Sequence, residues 1–306
     1  MTRIVVTGGA GFIGSHLIEE LISQGHQVTS FDIVQPEHAH IGAEYLSVDV
    51  RDSSEVLSVL QRIRPDAVVH LAALPSVQTS IQKPLDALHT NIRGTYTMLE
   101  SARSSGVKRF VFASSAAVYG FTGEEYAGKP LHEELPLKPK NPYGLAKHVG
   151  EQLMAMWARD NFWDPIDTVS LRFFNVYGPR QRRDSAYATC IERFLAFLEE
   201  KKPLTIVSPG TQRRDMIFVK DLVQGIARAA LTDQKFNGQA INLGSGKNYS
   251  IREIAQIIGG KDYPTVTIEA RPGDVKEVLA DISCAQALLD WSPQVSFEEG
   301  VKMLQA

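Results

Sequence analysis

Tyr143-Gly144-Leu145-Ala146-Lys147 places a phenol and an ammonium four residues apart. On a helix that spacing sets both groups on one face. A phenol with an ordinary pKa of about 10 is a poor base at neutral pH, and a nearby cation favours its ionised form. Bringing it down to about 7 takes roughly 4 kcal/mol of differential stabilisation, more than one exposed lysine supplies. Ser115 closes the apolar run Phe110-Val111-Phe112-Ala113 and adds a hydroxyl that can hydrogen-bond the same substrate oxygen. Y-x-x-x-K also describes an ordinary exposed helical pair, so its meaning depends on the elements that carry it.

The first of these is Thr7-Gly8-Gly9-Ala10-Gly11-Phe12-Ile13-Gly14. It follows the β-branched run Ile4-Val5-Val6, which suits a buried parallel strand. It leads into a helical pattern at Leu17, Ile18, Leu21 and Ile22. Strand, glycine turn and helix are the context of a dinucleotide site. Gly8 permits the turn, Gly11 leaves room for a pyrophosphate, and Gly14 lets the helix pack close, with free N–H groups facing the phosphates. The spacing is G-x-x-G-x-x-G, and a plain turn would also satisfy it. A second strand, Val28 to Phe31, ends at Asp32, 18 residues after Gly14. A carboxylate there accepts from both adenosine ribose hydroxyls and repels a 2′-phosphate, so the expected cofactor is NAD rather than NADP. Lys147 and the positive nicotinamide ring would then share the task of favouring the phenolate.

Further strands are expected at Tyr45–Val48 and Ala67–Leu71, and helices at Ser53–Arg62 and Pro84–Arg103. The long helix carries Leu85, Leu88, Ile92, Leu99 and Ala102 on one face, with Asn91 beside it. Small residues Ala72 and Ala73 after Leu71 would let a flat ligand lie against the backbone at a strand end. Asn141-Pro142 opens a helix with the usual start signals. Its apolar residues Leu145, Val149, Leu153, Met154, Met156 and Trp157 cover more than one face, which implies burial on both sides: one against the sheet, the other against a partner subunit. Alternation continues through Phe174, so the fold class is α/β, a doubly wound parallel sheet with a smaller mixed C-terminal domain. Residues 1–174 form the NAD-binding domain in this reading, and 175–306 mainly the substrate domain.

Composition restricts the remaining classes. The 306 residues carry a net charge of −3, which offers no handle for nucleic acid or anionic membrane. No apolar run approaches the roughly 20 residues of a membrane span, and the first apolar run is too short for a signal peptide. Cys190 and Cys284 stand in no metal-ligand spacing and fit free thiols in a reducing compartment, so the expected location is cytoplasmic.

Taken with His70-Leu71-Ala72-Ala73, Ser114 to Gly120 and Tyr143 to Lys147, the glycine turn resembles the extended short-chain dehydrogenase/reductase family, within it the nucleotide-sugar epimerase/dehydratase group of UDP-galactose 4-epimerase type. The likeness continues through Leu171 to Gln181, Arg214-Asp215, Val219-Lys220-Asp221, Asn242 to Gly246 and Arg271 to Asp274, nearly the whole chain. It implies that Gly8, Gly11, Phe12, Ile13 and Gly14 hold the pyrophosphate, Asp32 the ribose, and Asp49 with Val50 the adenine. Leu71, Ala72 and Ala73 would line the cofactor, Lys147 would bond the nicotinamide ribose, and Asn91 would order water near the nicotinamide. Asn175, Arg214 and Arg271 would grip the diphosphate of a nucleotide sugar, a task that suits the planar fork of arginine. A homodimer is also implied. Ser208-Pro209-Gly210 departs from the family's Gly-Asp pair, and the basic run Arg180-Gln181-Arg182-Arg183 is either an acidic-sugar contact or a solvated loop.

Relatives that dehydrate or decarboxylate carry acid–base groups just after the serine; here Ala116 and Ala117 stand there. The surviving reaction is oxidation at sugar carbon 4, rotation of the keto sugar, and reduction from its other face, with Ser115, Tyr143 and Lys147 as the catalytic group. The alternatives are a one-way 4-ketoreductase, which would usually prefer NADPH, and a nucleotide-sensing protein on the same fold. Val278 matches a position that helps wall the sugar pocket, where a bulky tyrosine in some relatives excludes an N-acetyl group; the same residue also reads as plain core. UDP-hexoses, UDP-N-acetylhexosamines and, through Arg182, UDP-uronates are the candidate substrates. No metal is expected.

Overall fold

The computed structural model describes residues 1–120, 126, 128–159, 164–182, 190–270 and 275–306. The N-terminal half runs β1 (Arg3–Thr7), α1 (Phe12–Ser23), β2 (Gln27–Asp32), β3 (Ala43–Ser47), α2 (Ser53–Ile63), β4 (Ala67–His70), α3 (Val77–Gln82), α4 (Pro84–Leu88), α5 (Gly94–Ser104), β5 (Arg109–Ser115), α6 (Pro142–Trp157) and β6 (Asp167–Phe173). There follow β7 (Asn175–Tyr177), α7 (Cys190–Glu199), β8 (Leu204–Val207), β9 (Arg213–Phe218), α8 (Val219–Leu231), β10 (Gln239–Leu243), β11 (Asn248–Ser250), α9 (Ile251–Gly259), β12 (Thr265–Ile268), α10 (Ser283–Leu289) and α11 (Phe297–Gln305).

Among the described residues, seven parallel strands form one sheet in the order β10-β6-β5-β4-β1-β2-β3. Its central strands are apolar on both faces because helices cover both. Strand periodicity sorts the side chains: Ile4, Val6, Val69, Val111 and Leu171 pack with Leu17 and Leu21 of α1 and Leu222 and Ile226 of α8. Val5, Val68, Phe110 and Phe112 point the other way, toward Leu60 of α2, Leu99 of α5 and Met154 of α6. The chain winds outward from β1 to β3, then returns to β4 and winds the other way. That switch between β1 and β4 opens a crevice at the strand C-termini, where ligands bind in such sheets.

Beyond β6, β11-β9-β7 and β12-β8 make two small sheets over a separate core that includes Tyr177, Phe194, Phe218, Ile254 and Phe297. The division at residue 174 does not follow sheet membership: α8 packs against the large sheet, and β10 is its edge strand.

Pro84–Arg103 is not one regular helix. A π-turn, His89–Arg93, separates α4 from α5. The wide turn carries an extra residue and rotates α4 relative to α5. Leu85, expected on the buried face, is therefore 81% exposed, and Ala87, Asn91, Met98, Leu99 and Ala102 form the inward line. α6 starts as expected: Asn141 caps it, its Oδ1 accepting from Gly144 N at 2.8 Å. On α6, Leu145 and Met156 stay 45% and 53% exposed, with Tyr96 of α5 nearby in the same layer. No helix among the described residues is long and apolar enough to cross a membrane.

Candidate active site

The glycine turn joins β1 to α1 at the crevice. Gly8 has φ +72°, and a Cβ on it would stand 2.9 Å from Ala72 N, so the segment leaving β4 lies directly on the turn. A Cβ on Gly14 would collide with the Gly8 carbonyl. Gly11, the N-cap of α1, brings no side-chain cap to the helix N–H groups, which suits an anionic ligand there. Phe12 and Ile13 open that helix. Asp32 closes β2 with one oxygen accepting from Ala10 N at 3.0 Å and the other from Ile33 N at 2.8 Å. This fixes the carboxylate at the rim of the turn. Leu71, Ala72 and Ala73 leave β4 half-buried along the same crevice. These residues fit a dinucleotide: backbone donors at the turn, a carboxylate on the ribose side, small side chains along the strand end.

Asp49 is placed differently from a bare adenine acceptor. Arg51 holds its carboxylate with Nε at 2.9 Å and Nη2 at 2.6 Å, which keeps the carboxyl below its usual range. With Arg51, His89 and Arg93, it lines an open cavity of ≈ 370 Å³. Val50 is buried against Gly94.

His70, at the end of β4, joins the turn to α5. Ala72 N donates to Thr7 Oγ1 at 3.0 Å, and Thr7 Oγ1 lies 2.8 Å from His70 Nδ1. On the other side, Thr95 Oγ1 donates to Asn91 O at 2.7 Å and lies 3.1 Å from His70 Nε2. Each hydroxyl has one proton, so the chain of donors assigns His70 as neutral with the proton on Nε2. Complete burial agrees, pushing the imidazole down to about 3. Asn91, expected to order water, spends its amide on the backbone: Oδ1 accepts from Leu74 N at 2.7 Å and Nδ2 donates to Leu74 O at 3.0 Å. It clamps the segment that leaves β4 at Leu74.

The Ser115 hydroxyl, at the end of β5, lies beside the Tyr143 phenol on α6, close enough to favour its ionised form. Ser115 Oγ also accepts from Ala117 N at 3.2 Å, and Ser80 Oγ accepts from Tyr143 N at 3.2 Å. Burial raises the phenol's pKa, while the Ser115 hydroxyl pulls it down. Lys147 Nζ donates to Ala113 O at 2.6 Å and lies 5.9 Å from the centre of the Tyr143 ring. The ammonium itself is pushed down to about 7 by burial.

On the substrate side, Asn175 Nδ2 donates to Asp215 O at 2.9 Å, and Arg214 Nη1 to Arg213 O at 2.9 Å and Val275 O at 2.7 Å. Asp215 is fully buried and pushed up to about 6, while accepting from Ser245 N at 2.7 Å and Ala280 N at 3.0 Å. It gathers three segments of the small domain. Half-buried Val278 packs on an apolar cluster of Val118, Phe174 and Ala280, on which Ala116 packs as well. Arg271 and Arg183 lie outside the described residues. Arg180 is paired with Glu19 of α1 at 2.6 Å, and His16 Nε2 meets Pro179 O at 2.9 Å, so the start of the basic loop is docked on α1.

Sequence reasoning passed over one buried group. Arg172 of β6 holds Glu151 of α6 with Nε at 2.9 Å and Nη2 at 2.8 Å, Ser114 Oγ donates to Glu151 Oε1 at 2.6 Å, and Arg172 Nη1 donates to Tyr119 Oη at 3.0 Å. The available signal was a carboxylate one turn after Lys147 in an apolar helix, and an arginine inside an apolar strand.

The switch-point crevice with its glycine turn and Ser–Tyr–Lys group defines a dinucleotide-binding protein of the short-chain dehydrogenase/reductase class. Residues 4–244 match the NAD dependent epimerase/dehydratase family, and the chain belongs to it. Among solved structures, it is similar to the UDP-glucose 4-epimerase of Thermotoga maritima with UDP-glucose: TM-score 0.91, 31% identity, 98% of this chain and 96% of that one covered. It is similar to the UDP-N-acetylglucosamine 4-epimerase of Methanobrevibacter ruminantium in complex with UDP-N-acetylmuramic acid: TM-score 0.88, 31% identity, covering 99% and 98%. The UDP-glucuronic acid 4-epimerase of Bacillus cereus, in complex with UDP-glucuronic acid and NAD, matches at TM-score 0.86 and 33% identity, covering 98% and 97%.

His70 gives a pH signature. Its folded pKa of about 3 lies below the ordinary value of about 6.5. Between the two, the unfolded chain binds a proton that the folded chain refuses, so stability falls as pH falls. Acidification from pH 7 to pH 5 should cost about 2 kcal/mol through this residue. Urea midpoints at both pH values check it: His70→Asn should lose that much less than the parent, and equal losses would contradict the assignment.

Proposed function

We propose that the protein is an NAD-dependent UDP-sugar 4-epimerase, an isomerase that oxidises the sugar at carbon 4 and returns the hydride to the opposite face. The observation that carries this reading is the Ser115–Tyr143 hydroxyl pair at the mouth of the switch-point crevice, followed by Ala116 and Ala117 where a dehydratase needs carboxyl groups. Bound NAD would accept and return the hydride. Tyr143 takes the proton from the sugar's 4-hydroxyl, Ser115 hydrogen-bonds the same oxygen, and Tyr143 gives the proton back after the sugar turns, as microscopic reversibility requires. Lys147 holds the nicotinamide ribose from the helix face it shares with Tyr143. Gly8, Gly11, Phe12, Ile13 and Gly14 seat the pyrophosphate, Asp32 the ribose, and Val50 with the Arg51-braced Asp49 the adenine. Leu71, Ala72 and Ala73 line the ring system, with Asn91 behind them. Asn175, Arg214 and Arg271 bind the UDP diphosphate.

Two finer readings belong to the same proposal. The protein is a homodimer in which Tyr96, Leu145 and Met156, exposed on α5 and α6, are covered by a second copy. Leu145 and Met156 are eleven residues apart, three helical turns, and so share one stripe. Free Cys190 and Cys284 fit a reducing, cytoplasmic setting.

Tyr143→Phe should lower kcat by about 10² to 10⁴ with little change in UDP-sugar affinity. Interconversion of UDP-glucose and UDP-galactose, coupled with identification of nucleotide released on denaturation, checks this. Activity that consumes stoichiometric NADPH would replace the proposal with a ketoreductase, and bound nucleotide without turnover would point to a sensor.

Leu145→Arg combined with Met156→Arg should convert the dimer to a monomer in sedimentation at micromolar concentration. A parent protein that sediments as a monomer overturns the dimer.

Val278 leaves room beside sugar carbon 2, so UDP-hexoses and UDP-N-acetylhexosamines are both substrates. Val278→Tyr should selectively reduce kcat/KM for the acetylated sugar by steric exclusion. UDP-glucuronate, assayed alongside, tests whether exposed Arg182 serves a sugar carboxylate. Equal loss for all three sugars, or none, would mean that Val278 does not face the pocket.

A further inference from the structure

The first amides of a helix have no carbonyl of their own helix to bond and must find partners elsewhere. In α6 the ladder opens where Leu145 N donates to Asn141 O at 3.0 Å. Pro142, in the first turn, has no N–H to place. Asn141 Oδ1 takes the Gly144 N–H at 2.8 Å. The amide between them belongs to Tyr143, and its partner comes from another helix: Ser80 Oγ of α3 accepts it at 3.2 Å.

Ser80 is fully buried. Its hydroxyl donates to Val77 O at 2.7 Å, which uses its one proton, so only lone pairs face Tyr143. The hydroxyl is thereby fixed at both ends, donating within α3 and accepting from α6. α3 is held in turn. Ser76 caps it, Oγ accepting from Thr79 N at 3.0 Å. Just before Ser76 comes the segment leaving β4, with both backbone groups of Leu74 taken by the Asn91 amide at 2.7 and 3.0 Å. That segment lies on the glycine turn, where Ala72 N donates to Thr7 Oγ1 at 3.0 Å. A path of covalent and hydrogen bonds thus runs from the turn, along the residues proposed to line the cofactor, to the residue proposed as the base.

We propose that Ser80 is a positioning residue for the epimerase reaction: by anchoring the Tyr143 amide to α3, it sets the phenol in register with the cofactor seat that leads out of β4. This rests on the epimerase reading, in which Tyr143 is the base. Ser80 touches no reacting atom in this role; it acts through the Tyr143 backbone. Without it the Asn141 cap still starts α6 at the same residue, and what is lost is the tie to α3. Proton transfer needs its heavy atoms about 2.6–3.2 Å apart, and a misplacement of about 1 Å can cost about 10²-fold in rate. The loss therefore falls on kcat. KM is governed by the nucleotide contacts, which the same reading places at Asn175 of β7 and Arg214 of β9, away from α3.

The experiment combines amide hydrogen exchange by NMR with steady-state kinetics on UDP-glucose, in the full-length parent, Ser80→Ala and Ser80→Cys. In Ser80→Ala the Tyr143 amide should exchange at least about tenfold faster, while the Gly144 amide, held by Asn141, stays within about threefold of the parent. kcat should fall by about ten- to a hundredfold with KM within about twofold. Ser80→Cys, whose sulfur is a weak acceptor, should fall between parent and Ser80→Ala in both exchange and kcat. Unchanged Tyr143 exchange in a folded variant, equal acceleration at Tyr143 and Gly144, a KM that rises as kcat falls, or faster exchange with kcat within twofold of the parent each overturns the proposal. If Ser80→Ala does not fold, Ser80→Cys decides by the same criteria. Failure of both to fold assigns Ser80 to packing and also overturns it. The exchange measurement needs no substrate, so the two readings fail separately. The expected exchange in a parent that epimerises no UDP-sugar would remove the function and keep the anchor; epimerisation with unmoved exchange would do the reverse.

Discussion

The close approach of α6 to β5 is the constraint on which the site depends. A Cβ on Gly150 would run into the Phe112 ring, and one on Gly144 would stand 2.7 Å from the Ala117 carbonyl. Because both positions are glycine, the helix lies near enough for Lys147 Nζ to reach Ala113 O and for the Tyr143 phenol to lie beside Ser115. The Asn141 cap and Pro142 fix where the helix begins, and hence which residues face the strand end. The approach also buries charge. Lys147, Glu151 and Arg172 would each be costly alone; together they exchange solvent for fixed partners, an arrangement that specifies register more surely than it adds stability.

The parallel sheet and the glycine turn were legible because they rest on local rules: β-branched runs between turn signals, and glycines where backbone must touch backbone. Asp32 and Ser115 were legible because each closes a strand. What could not be read was partnership across the sheet. Nothing in the order of residues says that Arg51 will brace Asp49, that Asn91 will spend both ends of its amide on Leu74, or that Arg172 will reach Glu151. Those pairs depend on the angle and depth at which each helix packs. The π-turn at His89–Arg93 is a further example: its residues have ordinary helical propensities, and only tertiary packing selects the wider turn and moves Leu85 outward.

The expectation about Tyr143 changed in a way that bears on mechanism. Spacing suggested that Lys147 and the positive nicotinamide ring would together favour the phenolate. In the folded chain burial dominates and the phenol is pushed up, with the ammonium 5.9 Å from the centre of its ring. A base that stays protonated in the free protein does not abstract protons idly. On the proposed role of Tyr143, the positively charged ring of a bound cofactor would share in its activation, so proton removal and hydride loss at carbon 4 would draw on the same charge.

The substrate half has the opposite character from the cofactor half. Asp215 pulls the Ser245–Gly246 loop and Ala280 onto β9, and Asn175 is tied to the same residue's carbonyl, so the segments assigned to the nucleotide diphosphate form one fixed unit. The proposed sugar side, by contrast, would offer methyl groups: Ala116 and Val278 pack on one apolar cluster, and Ala117 follows Ala116 in the chain. Apolar walls give contact without direction. A nucleotide held by charge-assisted bonds and a sugar held by non-directional contact are what an inverted return of hydride requires. In the proposed reaction the anchor would hold throughout, while the keto ring would present its second face before the proposed acid, Tyr143, returned the proton. A carboxylate at Ala117 would supply an acid–base group there, but it would also hold the ring in one orientation by hydrogen bonds. On the proposed function, methyl groups at these positions would both remove dehydration chemistry and leave the ring free to turn.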